Sequence, residues 1–136
     1  MRLRRGFTLT EMLVVILIIA ILAAIAMNAY DNYLARSKVW AAKADLTALS
    51  LNLENELQRN LVYGTHKFNS AQEINQAYRG WHPSQKSSFT YALDSEPTRY
   101  TLTAMGESGS LSSCVLTLQS DTTRSMDGNC AFASAW

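Results

Sequence analysis

Hydrophobic positions fall into three patterns along this chain of 136 residues. Met12 to Met27 is an unbroken apolar run. Next, Val39, Ala42, Leu46, Leu49, Leu53, Leu57 and Leu61 recur at three- and four-residue steps, which is one face of an α-helix. Beyond residue 88 the step becomes two, the period of a half-buried strand. No Pro or Gly interrupts Phe7 to Tyr63. One helix is therefore expected over 7–63, with Gly64 as its stop and Arg59 near its last turn. Lys38, Lys43, Asp45, Asn52, Asn55, Glu56 and Arg59 are assigned to its solvated side.

Strands are expected at Ser88–Leu93, Arg99–Ala104 and Cys114–Leu118. Phe89, Tyr91 and Leu93 share one face, as do Tyr100, Leu102 and Ala104, and Cys114, Leu116 and Leu118. The turns are Asp94–Thr98 and Gly106–Ser113, so the strands form an antiparallel meander that can bury the leucine stripe of the helix. Between helix and sheet the pattern is lost. Ser70–Arg79 reads as a short helix capped by Ser70 with Glu73 at the fourth position, and Gly80–Ser84 as a turn that Trp81 packs down. His66 and His82 are each isolated and read as loop histidines.

Glu11 opens the apolar run, where a carboxylate is expensive. An ionised group in the hydrocarbon of a bilayer costs on the order of 2.5–3.5 kcal/mol even on insertion scales. A cationic partner would offset this, and a cut between Gly6 and Phe7 would create one as a new α-amine. Phe7–Ala26 is long enough to span a bilayer as a helix. Arg2, Arg4 and Arg5 favour a cytoplasmic N-terminus. Two blander readings compete. Ala24-Ile25-Ala26 imitates an ordinary signal-peptidase site, which would start the mature chain at Met27, and a plain membrane anchor needs no processing at all. The first leaves Glu11 without a purpose, and the helical pattern continues past Ala26 without a turn.

The leader Met1-Arg-Leu-Arg-Arg-Gly6, followed by Phe7-Thr-Leu-Thr-Glu11 and the apolar run, resembles the prepilin signature of type IV pilins and type II secretion pseudopilins. The resemblance implies cleavage after Gly6 by a prepilin peptidase/methyltransferase and N-methylation of Phe7. It also implies assembly through Glu11, which neutralises the Phe7 amine of a neighbouring subunit. The expected fold is α+β, the type IV pilin fold, divided into a basic leader (1–6), a transmembrane and assembly helix (7–27) and the amphipathic half of that helix (28–63). A variable connecting region (64–87) and an antiparallel sheet with a disulfide-closed C-terminal loop (88–136) complete it. The chain departs from the commonest pilin pattern at Ala20, where relatives often have Gly, and at Asn28, where they often have Pro. Those residues are linked to helix melting in filaments, so that behaviour is not carried over.

Removing the leader leaves nine basic and eleven acidic side chains, a net charge of −2. Such a balance gives no strong field for nucleic acid. The head is only about 75 residues long, small enough to need a staple. Cys114 and Cys130 enclose 15 residues, and a disulfide there is worth about 3 kcal/mol by loop-closure arithmetic. Free structural thiols are the alternative. Metal ligation lacks the necessary spacing, and no nucleotide-binding loop, zinc-protease helix or nucleophile elbow occurs. No enzyme, cofactor or metal is expected.

Tyr100-Thr-Leu-Thr-Ala104, Cys114-Val-Leu-Thr-Leu118 and a second Cys before a Trp are similar to minor pilins of the PilE type. Here Ala131–Ala135 separate Cys130 from Trp136, which loosens the closing motif. The resemblance implies a pilus subunit that takes part in assembly or initiation, in motility, adhesion or DNA uptake. Its partners would be other pilins, the inner membrane and the inner-membrane assembly platform. It would sit in the inner membrane with a periplasmic head, and then in the surface pilus. A type II secretion pseudopilin is the runner-up. An adhesive or DNA-binding tip subunit using Lys67, Arg79, Lys86 and Arg124 is the third reading, ranked last because four scattered cations bind weakly at physiological salt.

Overall fold

Leu9 to Asn60 form one α-helix, α1, in the computed structural model, which describes residues 7–131 and 136. The leader, including Arg2, Arg4, Arg5 and Gly6, and residues 132–135 of the expected tail lie outside the described residues. The chain divides into two units, the first ending at Leu34 and the second running from Ala35 to Trp136. Every described residue of the first unit is exposed.

In the second unit, α1 buries Ala35, Val39, Ala42, Leu46, Leu49 and Leu53. They pack on one face of a five-stranded antiparallel sheet of order β1-β2-β3-β4-β5. Its strands are β1 (His66–Phe68), β2 (Phe89–Glu96), β3 (Arg99–Gly106), β4 (Val115–Gln119) and β5 (Arg124–Asp127), and a short helix, α2 (Ala71–Ala77), lies between β1 and β2. The inner face is the expected one. Phe89, Tyr91 and Leu93 of β2, Tyr100, Leu102 and Ala104 of β3, and Leu116 and Leu118 of β4 are all buried. Leu93 stands opposite Leu102, and Ala104 opposite Leu116.

The structure corrects four expectations. The helix stops at Asn60, before Gly64, because Leu61 takes a left-handed backbone with φ 62°. Tyr63 explains the early exit. Its N–H donates to Pro97 O at 3.1 Å and its ring meets Tyr100 edge-on at 5.1 Å, so the chain must leave the helical path to dock on the β2–β3 turn. Leu61 is consequently 82% exposed and not part of the stripe.

Second, the expected Asp94–Thr98 turn is shorter: β2 continues through Glu96, leaving Pro97 and Thr98 as the loop. Ser95 is buried, donating from Oγ to Gly64 O at 2.6 Å and accepting from His66 N. Third, the described residues form five strands where three were expected. The edge strands β1 and β5 are three and four residues long and carry Lys67, Arg124 and Asp127, as protected edges do. Fourth, Lys43 and Asp45 are buried instead of solvated.

The C-terminal loop is closed as expected by a Cys114–Cys130 disulfide, with Cα atoms 4.7 Å apart. Gly128 permits this closure. Its φ of 75° is left-handed, and a Cβ there would collide with Ser113 O. Beyond the disulfide, Ala131 O accepts from Arg36 Nε at 3.1 Å, which ties the loop to α1.

Candidate functional site

The first unit presents a helix surface with nothing to cover it. From Met12 to Ile25 the large apolar side chains are roughly half exposed or more, with Ile16 at 63% and Ile25 at 68%. Such a patch far exceeds what a soluble surface tolerates and requires a bilayer or other helices. The helix is long and apolar enough to cross a membrane.

Glu11 has partners within its own segment that the sequence reading missed. Thr8 N and Thr8 Oγ1 both donate to Glu11 Oε2 at 2.8 Å, and Glu11 N donates to Thr8 Oγ1 at 3.2 Å. This is a reciprocal capping box, with Thr8 as N-cap and Glu11 at the third helical position. The signal was present as Thr8-Leu-Thr-Glu11. Thus the carboxylate satisfies the Thr8 N–H, and Thr8 Oγ1 satisfies that of Glu11, while the charge of Glu11 remains available. Phe7, 84% exposed, stands just outside the helix.

In the second unit, three carboxylates of α1 receive tyrosine hydroxyls. Tyr91 donates to Asp45 at 2.6 Å, Tyr78 to Glu56 at 2.6 Å, and both Tyr63 and Tyr100 to Glu54 at 3.0 Å. Burial first, then the adjacent carboxylate, raises all four phenol pKa values, that of Tyr63 to about 12. Asp45 also accepts from Ser84 N, Ser84 Oγ and Gln85 N, and its backbone carbonyl accepts from Trp81 Nε1 at 2.8 Å. Trp81 therefore does pack the connecting region down, as expected. Asp45 was legible in principle, since it lies three residues after Ala42 and four before Leu49, inside the apolar stripe. Lys43 sits over the rings of Trp40 (4.7 Å) and Trp136 (6.0 Å), and burial pushes its ammonium pKa down.

The cations singled out in the sequence separate into different environments. Lys67 lies 3.5 Å from Asp94, and Arg124 is over the Trp136 ring at 5.7 Å. Arg79 and Lys86 are exposed and belong to neither ion pair of the described residues. Lys86 shares a groove of about 380 Å³ with Gln72, Asn75, Gln76, His82 and Pro83. Asn75 Nδ2 donates to Trp81 O at 2.6 Å and lies 3.0 Å from His82 Nδ1, which joins the two walls. His66 is half-buried and stacks on Phe68 at 5.0 Å. Among the described residues no three His, Cys, Asp or Glu side chains gather as a metal site.

Residues 1–27 match the prokaryotic N-terminal methylation motif. Residues 28–119 match the family described as type IV minor pilin ComP, DNA uptake sequence receptor. The chain belongs to this minor pilin family. Curated relatives agree at the pilin level. A fimbrial protein of Pseudomonas aeruginosa is 42% identical over 57 residues, which is 42% of this chain and 37% of that protein. A fimbrial protein of Moraxella nonliquefaciens is 36% identical over 74 residues, 54% of this chain and 48% of the other. The type IV major fimbrial protein FimA of Dichelobacter nodosus is 60% identical over 37 residues, 27% of this chain and 24% of FimA. The matched stretch thus spans less than half the length of each of these relatives. No solved structure matches the chain.

The apolar part of α1, long enough to cross a membrane, lies mostly within the stretch that matches the methylation motif. The family is one of structural subunits.

Proposed function

We propose that this pilin is a minor pilus subunit whose head binds duplex DNA during uptake. The match of residues 28–119 to a family described as a DNA uptake sequence receptor carries the reading. It moves the nucleic-acid role from last place to first. Head charge alone argued against that role, yet the bulk charge matters less than where the cations stand. Asp45 is buried against the sheet, while Arg79 and Lys86 face solvent.

In this reading the peptidase cuts between Gly6 and Phe7 and methylates the Phe7 amine. Before assembly the N-terminus is cytoplasmic and the head periplasmic. At the assembly platform the Glu11 carboxylate neutralises the Phe7 amine of a neighbouring subunit while the apolar residues 12–26 pack with other pilin helices. A role in priming pilus assembly is the second reading, favoured by the PilE-like Cys114-Val-Leu-Thr-Leu118 sequence at β4 and its disulfide.

A clean deletion in the native bacterium tests both. The expected phenotype is surface pili of ordinary number with loss of transformation by DNA, restored by the wild-type chain. Loss of pili and twitching would move the protein to assembly. Loss of exoprotein secretion with pili intact would make it a pseudopilin. Intact-mass measurement of the membrane protein should give a methylated Phe7 start. A start at Met27 or Met1 would reject processing at Gly6.

A further inference from the structure

We infer that the groove between α2 and residues 82–86 is the sequence-reading surface of the head, with Gln72 and Gln76 addressing base edges in the major groove and Lys86 and His82 holding the adjoining phosphate strand. This rests on the DNA-binding reading above and deepens it. The choice of groove comes from its charge. Of three grooves on the described head, the one along β1–β3 sets Asp94 and Glu96 against Lys67 and Arg99, and the one beside Tyr78 sets Glu56 against Arg59. The α2 groove contains Lys86, His82 and three amide side chains, with no carboxylate. Of the three, it alone carries a net positive lining, which suits a polyanion.

Amide side chains suit the second task. Gln presents a donor and an acceptor side by side and pairs bidentately with the N6 and N7 edge of adenine, a contact that backbone phosphates cannot make. Gln72 and Gln76 are exposed and four residues apart, so they lie one above the other on the same face of α2. A seven-residue helix is about 10 Å long, which the major groove admits.

The groove is also held in shape before any ligand arrives. Asn75 bridges its walls through Trp81 O and His82, Trp81 is buried and bonded to Asp45 O, and the Asp45 carboxylate holds Ser84 and Gln85. Reading surfaces need this rigidity, because a loosely held amide loses its discrimination to rotamer entropy.

The test uses the full chain in detergent micelles and a duplex library with a randomised core, from which bound sequences are selected and then titrated by fluorescence anisotropy. Wild type should select an adenine-containing sequence. Gln72→Ala with Gln76→Ala should keep its affinity for the unselected library and lose about 5- to 150-fold of the preference for the selected duplex. Lys86→Gln should weaken all duplexes alike and flatten the slope of log affinity against log salt by about one. Both glutamines and Lys86 are exposed, so the thermal unfolding midpoints should stay at the wild-type value. If the double variant keeps wild-type discrimination, the groove is not the reader although the DNA function stands. If wild type binds no duplex at low salt, the DNA reading itself fails and the inference with it. If the variants lose incorporation into pili and leave DNA binding untouched, the groove belongs to a neighbouring subunit and the inference is overturned.

Discussion

The Tyr91 hydroxyl, on the inner face of β2, donates to Asp45 Oδ2 of α1 at 2.6 Å. Helix and sheet are thereby fastened through a polar bond at the centre of an apolar core, where Tyr91 itself is fully buried. The same carboxylate also receives two backbone N–H groups of the connecting region. A buried carboxylate with this many donors is satisfied, and satisfied buried networks specify one arrangement of the elements that share them.

Removing Asp45 should therefore be among the most destabilising polar changes in the head. Asp45→Ala leaves Ser84 N, Gln85 N and the Tyr91 hydroxyl without an acceptor, and hydrogen bonds to charged groups are worth about 1.5–3 kcal/mol each. The expected loss is about 3–4 kcal/mol overall, since water and small shifts recover part of it. Tyr91→Phe removes a single donor and should cost about 1–2 kcal/mol. Urea unfolding followed by Trp81 fluorescence measures both. A cost for Asp45→Ala no larger than that for Tyr91→Phe would show that the network is not a hub.

The tyrosine–carboxylate bonds also set an alkaline limit. Burial and the neighbouring carboxylates raise the phenol pKa values of Tyr63, Tyr78, Tyr91 and Tyr100 in the folded head. In the unfolded chain a phenol ionises near pH 10. The unfolded state thus releases its protons first, so this stabilisation is complete below about pH 10 and is lost above it. For Tyr63 the loss runs up to about 12, and for the other three it extends higher. A pH titration should show the tyrosinate absorbance of these four rising together with loss of near-ultraviolet circular dichroism. Ionisation of all four in a head that keeps its tertiary signal would contradict the geometry.

Much of the fold was legible because strong periodicities recorded it. Val39 to Leu53 and the alternating residues of β2, β3 and β4 occupy the faces that their spacing dictates. The edge strands were hidden because pairing, not side-chain pattern, makes them: Arg124-Ser-Met-Asp carries one apolar residue, Met126, opposite Leu116. The helix end was misplaced because a tertiary contact of Tyr63 outweighs the local stop at Gly64. Asp45 and Lys43 were put in solvent by residue type, although their positions at three- and four-residue steps from Ala42, Val39, Leu46 and Leu49 place them beside the stripe. The α2 groove was invisible in the sequence, since it joins residues 72–76 to 82–86 through a turn whose path is set by Trp81 and Asp45.

Reducing the Cys114–Cys130 bridge should loosen one part of the head selectively. Closing a loop of this length is worth about 3 kcal/mol, and β5, at the sheet edge, is paired on one side alone, with β4. β2 and β3 are paired on both sides and packed on α1. Hydrogen exchange of the Cys114→Ala, Cys130→Ala variant should therefore speed up first in Arg124–Asp127 and leave the central strands protected. Uniform loss of protection across all five strands would mean that the bridge sustains the whole sheet. Unchanged exchange in β5 would mean that it sustains neither.

Glu11 can be tested so that its two roles come apart. In the structure it completes a capping box with Thr8, and in the proposed filament its charge neutralises the Phe7 amine of a neighbour. Glu11→Gln keeps an oxygen that can accept from Thr8 N, since Gln also serves at this capping position, and it abolishes the charge. Thr8→Ala does the opposite, weakening the cap by about 0.5–2 kcal/mol while leaving the carboxylate in place. If charge pairing sets the register of packed helices, Glu11→Gln should insert in the membrane and be absent from sheared pili. Thr8→Ala should be incorporated at a reduced level, because a frayed first turn presents Glu11 less accurately. If capping alone matters the order reverses, with Glu11→Gln incorporated and Thr8→Ala excluded. Immunoblots of membrane and pilus fractions from the two strains read this directly. Wild-type incorporation of Glu11→Gln would remove the carboxylate from the assembly mechanism, because a neutral amide cannot compensate a buried ammonium whose missing partner costs about 3–5 kcal/mol.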